Sequence, residues 1–398
     1  GEPQHAHGSA EGPARARGGL SVRALAFAAG AFLAPAVALA AAFAGVEVPP
    51  PPAPRPVFDT HWGVKVEDPY RFLENTADPE VQKLMRAQAD AAQAILDRIP
   101  GRDKLLARLR EIDDATPAVV GAVQRDDKGV LYYLKRDAKA NQLKLYTRAA
   151  SGGEETLLVD PEAESKAAGK PHAINGFTVS PDGRRVAFVM AVGGAEIGAL
   201  RVIDTKTREE VQPRTDRVRG GQVGWLPDSS GFFYGRLAEG YEKRPRAERF
   251  MDVMSYLRRL DAPAADKAVF GPGLHPEVDI DRTSSGALFA TRGAGLVAAL
   301  VYHGVDRNRS LFVAERAGVL EGKPRWRKVF DRADQVNAVA IGGGWLYAKT
   351  AKDAPRFKVV RLALPEADPA RAATVIPAGE EVIAEIAAAK EGLYVTTR

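Results

Sequence analysis

A tight turn leads directly into an apolar strand in the stretch Ser180-Pro181-Asp182-Gly183-Arg184-Arg185-Val186-Ala187-Phe188-Val189. In the turn, Pro181 fixes φ, Asp182 can accept hydrogen bonds from its own backbone, and Gly183 tolerates a positive φ. A glycine-containing turn followed by an aromatic or apolar strand occurs six times, at intervals of 48 to 58 residues. The turn glycines are Gly129, Gly183, Gly231, Gly286, Gly344 and Gly392.

A period near 50 residues made of strands and turns is typical of a β-propeller, in which each repeat forms one four-stranded blade. Five further segments each lie downstream of a turn, where the third strand of a blade is expected. They are Leu143–Thr147, Leu200–Asp204, Tyr256–Leu260, Ser310–Val313 and Lys358–Leu362. The sixth turn is followed by one strand before Arg398. The sequence therefore predicts a mainly β chain, in which residues 113–398 form an incomplete propeller of about five and a half blades.

The composition excludes several classes of protein. Of the 398 residues, 45% are hydrophobic and 27% charged, which is typical of a globular chain. The net charge is +5, but the basic residues are scattered among 51 acidic ones with no run of five, so nucleic-acid binding is not indicated. The absence of cysteine excludes disulfides, thiol catalysis and Cys-ligated metals.

Residues 1–44 are predicted to be a leader. Three basic residues, Arg15, Arg17 and Arg23, come first. They precede an uncharged, Ala-rich stretch from Ala24 to Ala44, in which Ala38-Leu39-Ala40 offers a cleavage site. This order predicts a secretory signal, and an uncleaved membrane anchor is the alternative because the apolar stretch is long enough to span a bilayer. Both interpretations predict export to the periplasm or the cell exterior. Residues 45–56 follow as a stiff proline-rich linker.

Residues 57–112 are predicted to form an N-terminal helical segment. Asp78 is a suitable N-cap with Pro79 at the first helical position, and Pro100-Gly101 ends this first helix. A second short helix follows with four apolar residues on one stripe, Leu105, Leu106, Leu109 and Ile112. The repeat region offers no evident partner for the apolar faces of these helices.

No serine has the pattern of a nucleophile. A catalytic serine of an α/β-hydrolase needs a strained G-x-S-x-G turn, which this sequence lacks. Four serines near glycines are interpreted as blade-turn residues: Ser229, Ser230, Ser284 and Ser285.

Metal and phosphate sites are not indicated either. His5 and His7 could bind a metal weakly but lie in the leader, and His61, His172, His275 and His303 stand alone without ligand spacing. Asp279 and Asp281 resemble the start of a calcium loop that no Glu completes. The glycines at 342–344 precede a predicted strand, whereas a phosphate loop precedes a helix. We therefore predict no cofactor and no catalytic residue within this chain.

One segment is more specific than the repeats. Residues 59–75 read Asp-Thr-His-Trp-Gly-Val-Lys-Val-Glu-Asp-Pro-Tyr-Arg-Phe-Leu-Glu-Asn, which resembles the N-terminal signature of the prolyl oligopeptidase family. Phe72 stands where that family usually has Trp, and Asn75 where it often has Asp. The helices that follow, then Asn141-Gln142-Leu143 and the turn at Gly183, resemble the family in the same order, so that the resemblance covers about Val57 to Arg398.

The resemblance implies a serine endopeptidase that cleaves short peptides after proline. Its fold would be a seven-bladed propeller inserted into an α/β-hydrolase domain, with the propeller restricting access to the active site. The helices of residues 57–112 would pack on the hydrolase domain, and the catalytic residues would lie beyond Arg398. The alternative is a non-enzymatic periplasmic propeller that binds proteins or ligands. In the first case short proline-containing peptides and the hydrolase domain are the expected partners, and we expect the chain alone to be inactive.

Overall fold

The computed structural model describes residues 42–261, 266–389 and 391–398. The predicted basic residues and cleavage site of the leader, together with His5 and His7, lie outside these ranges. The chain divides into two compact units, residues 1–108 and 109–398. Within the described ranges, no helix is long and apolar enough to cross a bilayer.

The described part of the first unit begins with two short hairpins. The first pairs β1 (Ala42–Phe43) with β2 (Val46–Glu47), and the second pairs β3 (Val57–His61) with β4 (Val64–Asp68). The proline-rich stretch between the hairpins lies against the next helix, because the side-chain amide of Gln88 donates to the Pro49 carbonyl over 3.2 Å. Trp62 occupies the tip of the second hairpin and is completely exposed.

The two predicted helices are confirmed. Helix α1 (Pro79–Asp97) begins as expected, since the Asp78 side chain accepts a hydrogen bond from the Glu80 backbone N–H at 2.8 Å. Helix α2 spans Arg102–Ala115, and three of the residues on its predicted apolar stripe are more than half exposed, namely Leu105, Leu109 and Ile112. The fourth residue of the stripe, Leu106, is partly buried.

The described part of the second unit forms six antiparallel sheets, numbered I to VI along the chain. Sheet I contains β5 (Ala118–Arg125), β6 (Val130–Asp137), β7 (Lys144–Ala149) and β8 (Thr156–Val159). Helix α3 (Pro161–Ala168) leads to sheet II, with β9 (His172–Val179), β10 (Arg185–Val192), β11 (Ile197–Asp204) and β12 (Thr215–Arg219). Sheet III contains β13 (Gly224–Trp225), β14 (Gly231–Arg236), β15 (Met254–Arg259) and β16 (Lys267–Phe270).

The remaining sheets follow the same order. Sheet IV contains β17 (Ser284–Ala290), β18 (Leu296–His303), β19 (Arg309–Glu315) and β20 (Arg327–Phe330), with α4 (Arg316–Glu321) after β19. Sheet V contains β21 (Val336–Gly342), β22 (Trp345–Thr350), β23 (Lys358–Ala363) and β24 (Ala373–Ile376). Sheet VI pairs β25 (Ile383–Ala388) with β26 (Leu393–Thr397). The described strands thus give five four-stranded blades and one two-stranded sheet, and the seven blades of a complete propeller stay a prediction.

The hydrophobic core is divided among the spaces between consecutive sheets. One cluster joins sheets I and II around Tyr132 and Phe188, and another joins sheets III and IV around Phe270 and Phe312. Similar clusters lie between sheets II and III and between sheets IV and V. Each inner sheet is therefore covered on both faces, which is why β10 reads as an almost continuous apolar run.

The predicted third strands and five of the six predicted turns are confirmed, although the turn predicted at Gly231 occupies residues 227–230 and Gly231 itself is the first residue of β14. The third-strand segments fall in β7, β11, β15, β19 and β23. The turn prediction at Gly286 is wrong, because Gly286 lies inside β17, where it pairs with Val301. The turn of sheet IV lies instead around Gly293 and Gly295, both of which have positive φ. Gly286 is needed for close packing, since a Cβ there would be 2.6 Å from Phe270 Cδ1.

Candidate functional site

The first strands of sheets I to IV end together at a cavity of about 200 Å³, which we call the mouth. First strands of neighbouring sheets also contact each other, as β5 does with β9 and β13 with β17. In a propeller the first strands surround the central axis, so the mouth lies at one end of that axis. It is lined by Arg125, Asp127, Thr178, Val179, Ser180, Pro181, Trp225, Pro227, Ala290 and Arg292.

The turn of sheet I is fixed by a buried carboxylate. Asp126 Oδ1 accepts hydrogen bonds from the backbone N–H groups of Lys128 and Val130, at 2.9 and 2.8 Å. The backbone N–H of the next residue, Asp127, donates to the Pro181 carbonyl of sheet II over 3.2 Å. Hydrogen bonds within sheet I and to sheet II therefore fix the backbone from which the Asp127 side chain extends.

The turn of sheet II connects its neighbours on both sides. Asp182 Oδ1 accepts from the Ser180 hydroxyl at 2.7 Å and from the Arg184 N–H at 3.0 Å, so Asp182 caps its own backbone as predicted. Burial opposes the charged form, but these hydrogen bonds prevail and lower the pKa of Asp182. The Asp182 N–H donates to the Ser229 hydroxyl of sheet III at 3.2 Å. The turns are thus linked into one hydrogen-bonded series.

Aromatic and amide side chains make further links below the mouth. The Trp225 indole donates to the Thr178 carbonyl at 3.2 Å, which joins sheet III to sheet II. Gln124 joins sheet I to sheet II by two bonds: it donates to the Phe177 carbonyl at 2.7 Å and accepts from the Val179 N–H at 3.1 Å. The side-chain amide of Gln124 thus supplies one donor and one acceptor to β9, as the backbone of a neighbouring strand would.

One ion pair crosses the mouth among its described lining residues. Arg292 Nη1 lies 2.8 Å from the Asp127 carboxylate, and these residues belong to sheets IV and I. The side chains are 63% and 50% exposed, so both reach into the open space of the mouth. Arg125 adds a second exposed cation to the same lining. The described lining of the mouth therefore contains two guanidinium groups and one carboxylate.

The predicted turn serines divide into two groups. Ser229 and Ser230 lie in the turn of sheet III, whereas Ser284 and Ser285 begin strand β17, so their assignment to a turn is wrong. Ser284 is completely buried, and its hydroxyl lies 2.9 Å from His303 Nδ1. His303 Nε2 lies 2.9 Å from the Ser310 hydroxyl. Burial, assisted by the charge of Arg332, lowers the pKa of His303. This serine–histidine contact is closed to substrate and holds three strands of sheet IV together.

Two of the other histidines contact the backbone. His172 Nδ1 and His275 Nε2 each lie within 3.0 Å of a backbone carbonyl oxygen. Asp281 caps the backbone N–H of Thr283 at 3.0 Å, and the glycines at 342–344 connect β21 to β22 without a following helix. Within the described ranges, no group of three or more His, Asp or Glu side chains has the arrangement of a metal site.

Comparison with known proteins assigns this architecture to a class. The family profile described as the prolyl oligopeptidase N-terminal β-propeller domain matches residues 49–398. The chain therefore belongs to the prolyl oligopeptidase family, of which it contains the propeller domain. The resemblance inferred from residues 59–75 is confirmed.

Curated relatives agree with this assignment. The chain is 24% identical over 360 residues to prolyl oligopeptidase A of Galerina marginata, with 83% of this chain and 47% of the relative covered. It is 26% identical over 310 residues to a prolyl endopeptidase of Elizabethkingia meningoseptica, with 76% and 41% covered. The chain thus spans about half the length of the relatives that it matches.

Solved structures share the fold. A prolyl endopeptidase studied for its inter-domain dynamics superposes with a TM-score of 0.73 at 24% identity, covering 87% of this chain and 49% of the other. Prolyl oligopeptidase B of Galerina marginata, bound to a 35-residue hydrolysis and macrocyclization substrate, gives 0.68 at 22% identity, covering 85% and 49%. At these identities the likeness establishes the fold.

Proposed function

We propose that this chain is the substrate-admitting part of an exported serine endopeptidase that cleaves short peptides after proline. The observation that carries the proposal is the family match over residues 49–398, in a sequence that has no G-x-S-x-G turn. The propeller selects peptides by width, and a separate hydrolase domain performs the chemistry. The chain alone has no peptidase activity.

The lining of the mouth supports selection by width. Side chains from four sheets surround its volume of about 200 Å³. An extended peptide passes such an opening one residue at a time, whereas a folded domain is excluded. The interlinked turns of sheets I to III resist widening, because moving one turn breaks hydrogen bonds to the next.

The exposed stripe of α2 supports docking with a hydrolase domain. Leu105, Leu109 and Ile112 are 61%, 55% and 52% exposed on successive turns of one helix face. A stripe of this kind is normally buried, and burying a large aliphatic side chain stabilises by about 1.5–3 kcal/mol. In our proposal the hydrolase domain covers this stripe.

Export is proposed from the leader sequence alone. Cleavage after Ala40 would leave the first hairpin intact, and that hairpin is attached to α1, since Arg98 Nη1 donates to the Ala44 carbonyl at 3.0 Å. Mass spectrometry of the protein from a periplasmic extract tests this point. A protein that retains residues 1–40 and stays with the membrane would support the anchor instead.

Peptidase assays test the catalytic part of the proposal. The product of the whole reading frame is compared with the 398-residue chain on a blocked glycyl-prolyl arylamide. We expect cleavage by the former that a serine-directed inhibitor blocks, and none by the latter. An inactive product of the whole reading frame would favour the non-enzymatic propeller, and inhibitor-sensitive cleavage by the 398-residue chain would contradict its predicted inactivity.

A further inference from the structure

The ion pair at the mouth joins parts of the propeller that are far apart in sequence. Asp127 follows the first strand of sheet I and Arg292 follows the first strand of sheet IV, 165 residues later. Sheets II and III lie between them in chain order, so the contact reaches across the mouth and does not follow its rim. A contact in this position narrows the opening directly.

We propose that the Arg292–Asp127 pair is a salt-sensitive latch that determines which peptides pass through the mouth. This inference rests on the proposed function and adds the specificity-determining pair to it. Closed, the pair leaves room for small molecules. Open, it admits a peptide chain.

Both partners extend from a fixed backbone, but Arg292 has the longer side chain. Asp127 is fixed by its backbone bond to Pro181 and by the neighbouring buried carboxylate of Asp126. Arg292 lies on a turn that contains Gly293 and Gly295, with φ of 86° and 67°. Hydrogen bonds between Thr291 and Leu296, and from the Arg316 N–H to the Gly295 carbonyl, hold the backbone of this turn. The latch therefore opens by rotation of the long Arg292 side chain, which is 63% exposed.

The Arg292–Asp127 ion pair is weak enough for the latch to open often. Ion pairs this exposed shift an equilibrium by up to about fivefold, and salt screens them. Breaking the pair should therefore raise the passage of peptides by about two- to fivefold without changing the fold. A stronger, buried pair would keep the mouth closed.

Three variants separate the latch from the net charge of the mouth. Asp127→Asn and Arg292→Gln each break the pair but change the net charge of the mouth in opposite directions. The double variant breaks the pair and keeps the net charge of the wild type. If the latch is the cause, all three variants behave alike. If charge is the cause, the double variant behaves like the wild type, and the latch is refuted.

A labelling assay measures how easily reagents reach the mouth, and it does not depend on enzymatic activity. The chain has no cysteine, so Ala290→Cys, at a half-buried position in the mouth, introduces a unique thiol. Its reaction rate is measured with a small maleimide and with the same maleimide attached to a proline-rich peptide. We expect each latch variant, and added salt in the wild-type background, to raise the peptide-reagent rate by about two- to fivefold while the small-reagent rate stays constant.

The outcomes separate the latch from the proposed function. A ratio of the two rates that is the same in wild type and variants refutes the latch, whatever the peptidase assays show. Absence of prolyl cleavage by the product of the whole reading frame refutes the proposed function and leaves the labelling result valid. If the thiol reacts with neither reagent, the latch is tested by cleavage of long against short prolyl peptides, whose ratio must rise in all three variants.

Discussion

Gly183 should be among the least replaceable residues of the propeller, for two separable reasons. Its φ of +71° is unfavourable for an L-residue, and strain of that kind costs about 1–2 kcal/mol. A Cβ at this position would also lie 3.0 Å from Asp126 Cγ and 3.2 Å from Tyr132 Oη, and it would be closer still to Asp126 Oδ2. Overpacking adds about 1–3 kcal/mol, so we expect Gly183→Ala to lower the free energy of unfolding by roughly 2–5 kcal/mol.

A matched control isolates the steric part. Gly194, in the hairpin between β10 and β11 of the same sheet, has a similar φ of +77°, but a Cβ there would have no other atom within 4 Å. Gly194→Ala should therefore show the backbone strain alone. The difference between the two variants is the contact with Asp126, about 2 kcal/mol at the middle of the overpacking range.

Urea unfolding followed by tryptophan fluorescence measures this difference. With an m-value near 3 kcal/mol/M, the midpoint for Gly183→Ala should lie roughly 0.7 M below that for Gly194→Ala. In an Asp126→Ala background the gap should shrink, because the clashing side chain is gone. Equal midpoints for the two glycine variants in the native background would refute the packing argument.

Three further changes probe the links within and between blades. Gln124→Ala should destabilise by about 1–3 kcal/mol, since it leaves two backbone groups of β9 unpaired, and Gln124→Glu should rescue only the accepting bond; urea midpoints check both. Asp266→Ala should lower the free energy of unfolding by about 3 kcal/mol, because it removes the carboxylate that lies 2.5 Å from Nη2 of the buried Arg258. A loss of stability no larger than that from breaking the exposed pair of Arg259 and Asp261 would refute this. The pKa of His303 is lowered in the folded protein, so the unfolded chain binds the proton first and stability should fall as the pH drops below about 6.5. His303→Gln should lose that part of the pH dependence of stability. An unchanged pH profile of stability would contradict a neutral imidazole in the folded protein.

The sequence predicts most of the strands because local signals determine them. Turn residues such as Pro181 and Asp182 act through their own backbone, so their effect is visible in the sequence. Gly286 shows where this reasoning stops: it looks like a turn glycine but is required by the Phe270 ring of the preceding sheet. The sequence alone does not distinguish a glycine required by packing between sheets from one required by a positive φ.

The mouth was not predictable from the sequence for a related reason. Asp127 and Arg292 are ordinary surface charges in the sequence, and only the arrangement of four sheets around one axis brings them together. Ser284 and His303 likewise come together through the pairing of β17 with β18. The family resemblance at residues 59–75 was predictable because it depends on contiguous residues.

Selection by width is tested most directly by the dependence of prolyl cleavage on substrate length, measured with the product of the whole reading frame. We predict cleavage after proline in short peptides, a steep loss of rate as peptides lengthen, and no cleavage of a folded protein that carries the same proline sequence. Cleavage of the folded protein at the rate of the short peptide would show that this propeller does not select substrates by width.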